Sequence, residues 1–325
     1  MTITQLASSL NFKDFIINNK EDFDTWADNS TKWTAEDVIT LKCDVDANRD
    51  WKPVNFRGKF DGGKHTISRL RVSTDGNAGI VDTLSGVISN LIIDASCTIK
   101  STGASAGAVA FACCADGSAK LSGIVSSASI SMVTGSSNSH FAGAMIGQCI
   151  SPDVEIENCV NNGDIVVSGK NSSLYLGGIL GYDKSNGISI VNCTNTGAVT
   201  NSGATASARI GGIAGDIGST TSATYTALVS GCTNNGTVSN SGTTSTDTMV
   251  GGIVGMLAAR NITNAVKIEK CTNNGLVTSP AGGKAIRIGG LVGDGAANGT
   301  LDGCFSNADV KVGTNKYSTE VRISA

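Results

Sequence analysis

Proline is nearly missing from this chain, with three in 325 residues, and histidine is scarcer still, with only His65 and His140. Neither histidine lies in a nucleophile motif and Gly-x-Ser-x-Gly is absent, so the signatures of nucleophilic hydrolases are missing. Lys and Arg number 24 against 27 Asp and Glu, for a net charge of −3. That balance supplies no basic stripe to neutralise phosphates, and nucleic acid is excluded as an expected partner. No apolar run approaches the roughly 20 residues of a spanning helix, so membrane insertion is not expected. The opening MTITQLASSLNFKDFIINNK has no basic start followed by an apolar core, and so no secretory signal. Either a leader was removed, or the chain starts at Met1 and reaches its place without the general secretion route.

Glycine is plentiful, at 41 residues, and Ser, Thr, Asn and Val are common. This is a composition of strands and tight turns. The glycines recur in a motif. Aligning NAGIV, SAGAV, FAGAM, LGGIL, IGGIA, VGGIV and IGGLV places Gly79, Gly107, Gly143, Gly178, Gly212, Gly252 and Gly290 in one column, separated by 28 to 40 residues. A second column holds Leu91, Ile124, Cys159, Cys193, Cys232, Cys271 and Cys304. The residues before them are Asn90, Gly123, Asn158, Asn192, Gly231, Lys270 and Gly303, most of them types that suit a left-handed bend. A third column is Asn161, Asn195, Asn234, Asn273 and Asn307.

Fixed motifs at irregular spacing predict a β-solenoid, in which strands stack in register while loops of variable length bulge from an edge. The fold predicted is all-β, a right-handed parallel β-helix with a short N-terminal helical and aromatic cap. Residues 1–75 form the cap and first coil, and 76–325 a solenoid of about seven repeats. Eight of the fifteen aromatics lie by residue 60, and Asn19 to Asn29 reads as a capping helix with Asn19 as N-cap. The tryptophans belong to cap and core. Strands are expected at Val38 to Val45 and His65 to Val72.

Between these strands, Asp44, Asp46, Trp51, Pro53, Asp61, Gly62 and Ile67 match the opening coil of GLUG-motif repeat proteins, with Lys64 in place of that turn's second glycine. The recurring Gly-Gly-[Ile/Leu]-x-Gly followed by Cys-Thr-Asn-x-Gly-x-Val extends the resemblance over residues 40–310. It implies a surface-exposed, often adhesive β-helical module.

The ten cysteines contain no paired CxxC-like spacing, so neither zinc nor another metal is expected, and no cofactor. Cys159, Cys193, Cys232, Cys271 and Cys304 read as a ladder of buried free thiols, with Cys113 and Cys149 as a second stack. Asn161, Asn195, Asn234 and Asn273 read as an amide ladder at a coil corner. Reduced thiols point to folding in a reducing compartment.

Carboxylates are the weak candidates for catalysis: Asp183, Asp216 and Asp294 follow their motif's last glycine closely, where the alternative is a solvated turn. A strip of His140, Tyr175, Arg209, Met249 and Arg287 precedes each column glycine by three residues. As an outward row it is a candidate for stacking on sugars or pairing with acidic groups; the alternative is ordinary exposed strand positions. Loops at Thr220 to Ala227, Thr243 to Thr248 and Ala258 to Ala265 are candidate recognition surfaces. The chain ends in a strand-like Glu320 to Ser324 with no closing helix, which implies self-association or another subunit at an open end. The function expected is a non-enzymatic attachment protein on a virion surface, as a phage fibre, spike or capsid decoration. The alternatives are an extracellular bacterial cell-surface adhesin binding a glycan or host protein, and a polysaccharide depolymerase.

Overall fold

The computed structural model describes residues 14–102, 108–135, 138–185, 187–218, 226–258, 266–280, 285–295, 299–313 and 315–317. Short strands stack into sheets of ten, 22 and eight strands, and each coil lies parallel to the next, which makes the molecule a parallel β-helix. One coil shows the path. Thr226–Ser230 lies in the ten-stranded sheet, and a left-handed turn at Gly231 leads to Thr233–Asn234 and Val238–Asn240 of the 22-stranded sheet. Asp247–Gly251 completes that sheet's share of the coil. A corner at Gly252 then sends the chain into Val254–Leu257 of the eight-stranded sheet.

The predicted bend is present in all seven coils. Asn90, Gly123, Asn158, Asn192, Gly231, Lys270 and Gly303 have φ between 53° and 64°. Behind the bend, Leu91, Ile124, Cys159, Cys193, Cys232 and Cys271 are buried and stacked, and Cys304 is half-buried at the last coil. All ten thiols are free. Hydrogen bonds from the preceding ladder cysteine, and then burial, raise the pKa of Cys193, Cys232, Cys271 and Cys304, so the ladder stays protonated.

The asparagine ladder is continuous. Asn161 Nδ2 donates to Asn195 Oδ1, Asn195 to Asn234 and Asn234 to Asn273, each at 2.8 Å. Each of these amides also closes a turn onto the carbonyl two residues on, as Asn234 does to Gly236 at 2.9 Å. The second glycine of each Gly-Gly pair packs against this ladder. A Cβ on Gly212 would lie 2.3 Å from Asn234 Cγ and 2.1 Å from the Gly252 carbonyl, so no larger side chain fits. Asn307 is not the fifth rung: Ser306 is level with Asn273. Asn307 instead joins an exposed row, donating to Asn274, which donates to Asn235.

Two glycine registers differ from the alignment. Ala142 pairs with Leu176 and Ile146 with Leu180, so Ala144 rather than Gly143 stands level with Gly178. Ala112 pairs with both Val81 and Ile146, which puts Ala110 level with Gly79, and Gly107 lies outside the described residues. Alanine, the next smallest residue, takes the glycine's place in these coils, so a column drawn through glycine alone slips. The Cys113–Cys149 stack fails with it, because Cys149 pairs with Ala115.

The N-terminal end is closed as predicted. Helix Lys20–Asp28 is capped by Asn19, whose side chain accepts from Asp22 N, and it buries Phe23, Trp26 and Ala27. Trp26 stacks on Trp51 at 5.7 Å, and Arg49 ties the helix to the first coil through Asp24 and Asp28 at 2.9 and 2.8 Å. The two strands expected at Val38 to Val45 and His65 to Val72 are observed as Val38–Leu41, Val45–Trp51 and Thr66–Thr74. At the C-terminal end the predicted open edge is closed in part, since Asn315–Tyr317 returns antiparallel along Val310–Val312. Among the described residues the other two sheets end on the edge strands Gly299–Asp302 and Val292–Gly295, each paired on one side. Phe305 is 63% exposed there. Glu320 to Ser324, and most of the loops at Thr220 to Ala227 and Ala258 to Ala265, lie outside the described residues. Thr243 to Thr248 is exposed at Thr243, Ser245 and Thr246, is tied to the coil beside it by Thr205 N donating to the Thr243 carbonyl, and buries Thr248.

Asn234→Ala removes two donated hydrogen bonds and the acceptor of a third, each stranding a buried partner at roughly 1–3 kcal/mol. A loss of about 3 kcal/mol or more is expected in denaturant unfolding. Asn235→Ala, on the exposed row, is expected to cost less than about 1 kcal/mol.

Candidate functional site

The third glycine of each motif draws two strands together. A Cβ on Gly215 would lie 2.6 Å from Leu176 N, and one on Gly255 2.5 Å from Ile210 N. The strands before and after the Gly-Gly corner therefore lie backbone to backbone, which brings side chains seven residues apart face to face. One wall is Phe141, Tyr175, Arg209, Met249 and Arg287, consecutive in register. The other is Gln148, Tyr182, Asp216, Met256 and Asp294. Successive members are one coil apart, about 4.8 Å.

The contents change along the axis. Phe141, Tyr175 and Tyr182 form an aromatic group, with Phe141 stacked on Tyr175 at 5.2 Å and on Tyr182 at 5.5 Å, and the two tyrosines 4.3 Å apart. The Arg209 guanidinium lies over the Tyr175 ring at 4.7 Å, a cation–π contact. Its Nε is 3.2 Å from Asp216 Oδ2 and 3.1 Å from Met256 Sδ. Met249, Met256 and Ala258 form a small apolar cluster. At the next coil Arg287 is 3.3 Å from Asp294 and 4.0 Å from Asp247.

Asp216 is the unusual group. It is 3% exposed, and among the described residues neither its Oδ1 nor the buried Nη1 of Arg209 has a hydrogen-bond partner. Burial raises its pKa to about 7 against the pull of Arg209, with the charge of Asp183 adding to the rise. Burial, and then Asp216 itself, push the Tyr182 phenol to about 12.

Tyr175, Arg209 and Arg287 of the predicted strip thus meet the separately predicted Asp216 and Asp294 along one pair of facing rows. His140 does not join them. The one-residue shift of its coil places Phe141 level with Tyr175, and His140, buried at 1% exposure, is level with Leu174 on the inward row. Asp183 is also elsewhere: fully buried, it accepts from Ser185 N at 2.9 Å and closes a turn. The solvated-turn alternative fails for all three carboxylates, which lie in strands Leu180–Asp183, Ala214–Ile217 and Val292–Gly295. Phe141, Tyr182 and Met256 were not read from the sequence; the seven-residue spacing that pairs 175 with 182, 209 with 216 and 287 with 294 was the available signal.

No family model matches the chain, and no curated protein matches it. The crystal structure of a "putative immunoglobulin A1 protease" from Bacteroides ovatus is similar, with a TM-score of 0.62 at 20% identity over 95% of this chain and 80% of that one. At that identity the likeness carries the β-helical architecture alone.

The folded pKa of Asp216 lies above the ordinary carboxylate value, so its stabilising effect is full below about pH 4 and is lost as pH rises through about 7. The melting temperature of the wild type is expected to fall across that interval, and Asp216→Asn, which cannot ionise, to flatten the fall. Parallel profiles in thermal melts would contradict the burial of an ionisable group there.

Proposed function

We propose that this chain is a non-enzymatic attachment protein displayed on a surface, a rigid β-helical rod that holds a glycan along the partly exposed row of Tyr175, Tyr182 and Arg209. The observation that supports this is the group of half-buried aromatic rings beside the Arg209 guanidinium. Sugar rings stack their C–H faces on aromatic rings, and their hydroxyls pair with planar charged groups. The resemblance to GLUG-motif repeat proteins fits the same role. Ten free thiols fit folding in a reducing compartment before display, which favours a phage virion appendage over a secreted bacterial adhesin. In such an assembly the edge strands of the last coil meet another copy or another subunit.

A depolymerase is the second reading. It is favoured by the raised pKa of Asp216 and by Asp294 two coils away, roughly 9–10 Å, near the upper end of the carboxyl separation of inverting glycosidases.

A panel of polysaccharides tests both readings. Binding by the wild type, weakened about tenfold or more by Tyr175→Ala with the melting temperature kept, is the expected result. New reducing ends, abolished in Asp216→Asn, would establish the enzyme instead. Light scattering tests the partner: a mass above that of one chain, falling on Phe305→Asp, is expected, and a monomer at every concentration would remove self-association.

A further inference from the structure

The stacking of the coils forces glycine at one turn of each repeat. A Cβ on Gly163, Gly236 or Gly275 would lie 1.9 Å from a backbone carbonyl oxygen of the preceding coil. The residue before each of these glycines is under no such demand. Asn162, Asn235 and Asn274 stand there, exposed, and Thr196 takes the same place before Gly197. Three asparagines are thus presented to solvent directly before a glycine. In that pairing the backbone nitrogen attacks the side-chain amide most readily, because glycine has no side chain to obstruct the approach.

The three differ in their hydrogen bonds. The attack needs an uncommitted glycine N–H, a polarised amide carbonyl and an amide nitrogen able to leave. At Asn274, Gly275 N donates to Asn273 Oδ1 at 3.2 Å and Asn274 Nδ2 donates to Asn235 Oδ1 at 2.8 Å, so nucleophile and leaving group are both held. At Asn162, Gly163 N donates to Asn161 Oδ1 at 3.2 Å and Asn162 Nδ2 to Ser127 Oγ at 3.4 Å. Asn235 alone of the three meets every requirement. Among the described residues neither Gly236 N nor Asn235 Nδ2 has an acceptor, while Asn235 Oδ1 receives the Asn274 amide. That donor faces the oxygen on which negative charge develops during attack.

We propose that Asn235 is a site of spontaneous covalent modification, at which Gly236 N closes on Asn235 Cγ and converts the amide to an acid. The bond from Gly236 N to Cγ forms and the Cγ–Nδ2 bond breaks. The Gly236 N–H proton leaves with the amide nitrogen as ammonia, and a cyclic imide remains. Water opens the imide at either carbonyl, giving aspartate or isoaspartate. Both products put a carboxylate on the exposed amide row. The isoaspartate also adds a methylene to the backbone between Asn234 and Gly236, across which Asn234 Nδ2 now bonds the Gly236 carbonyl at 2.9 Å, so the buried ladder loosens at this coil. The inference goes beyond the attachment reading and does not depend on it.

Peptide mapping tests the assignment, because trypsin cuts after Lys120, Lys170, Arg209, Arg260, Lys270 and Lys284 and so puts the three asparagines in separate peptides. After incubation of the folded chain in mildly alkaline buffer, conversion at Asn235 is expected to run about tenfold or more ahead of Asn162 and Asn274. In the chain unfolded by urea the three are expected to convert at similar rates. Asn274→Ala, which removes the donor from an exposed position, is expected to slow Asn235 about tenfold while the melting temperature is kept. Conversion in the folded chain at Asn162 or Asn274 as fast as at Asn235 would overturn the assignment, as would an unchanged Asn235 over the time in which the unfolded chain converts. A rate at Asn235 that is the same in Asn274→Ala would overturn the part given to the Asn274 amide.

Discussion

The fit of a buried asparagine against a glycine one corner away holds the repeat together. Gly178 meets Asn195, Gly212 meets Asn234 and Gly252 meets Asn273, each leaving no room for a Cβ. Asn195 and Asn234 each bond the next asparagine along the axis, Asn273 bonds Ser306, and all three bond the carbonyl two residues on. An amide sealed in a core is tolerable only when its donors and acceptor are used. The ladder uses them by repetition, so the Gly-Gly motif and the Cys-Thr-Asn motif recur together although some 17 to 22 residues separate them in sequence. They are two halves of one contact.

That contact fixes the corner, and the corner brings the two rows of side chains face to face. Once the second glycine is seated on the ladder, the third must lie against the backbone of the coil beside it, and positions seven residues apart are left facing each other. The cysteines work two residues before the asparagines, at the left-handed bend. Their stacked thiols fill the space behind the left-handed bend with small apolar volume and add S–H···O contacts to carbonyls, as Cys193 does to Ile156 at 3.6 Å. Neither ladder needs help from loops, so loops can vary in length at the edges while the facing rows keep their register.

Most of the scaffold was legible in the sequence because its rules are local and repeated. The left-handed bend needs Gly or Asn, the ladder needs Asn, and the corner needs Gly, so the letters themselves recur. Lys270 shows the limit: it adopts φ 54° like its neighbours in the column, and only stacking reveals it. The register errors have the same root. Ala144 serves where glycine was expected, and a single-residue slip moved His140 from the inward row to the outward one and hid Phe141. Asp216 and Arg209 were each singled out, but on separate grounds. Their meeting depends on a tertiary approach that no periodicity encodes, and only the spacing of seven between wall positions hinted at it.

The scaffold also says which residues are free to carry function. Wall positions take tyrosine, arginine, methionine or aspartate from one coil to the next without disturbing the ladders, so the fold is indifferent to what stands there. Against that indifference, a carboxyl group buried until its pKa reaches about 7 is a net loss of stability whenever it ionises. Methionine occupies the same level one coil on, inside a small apolar cluster, with no such loss. A well-packed apolar residue generally replaces a buried ion pair at no cost or with a gain. The pair at Arg209 and Asp216 is therefore not explained by the β-helix. It stands beside the aromatic group, at positions where the next coil carries methionine without loss, so its cost falls on these two side chains while the ladders keep their geometry.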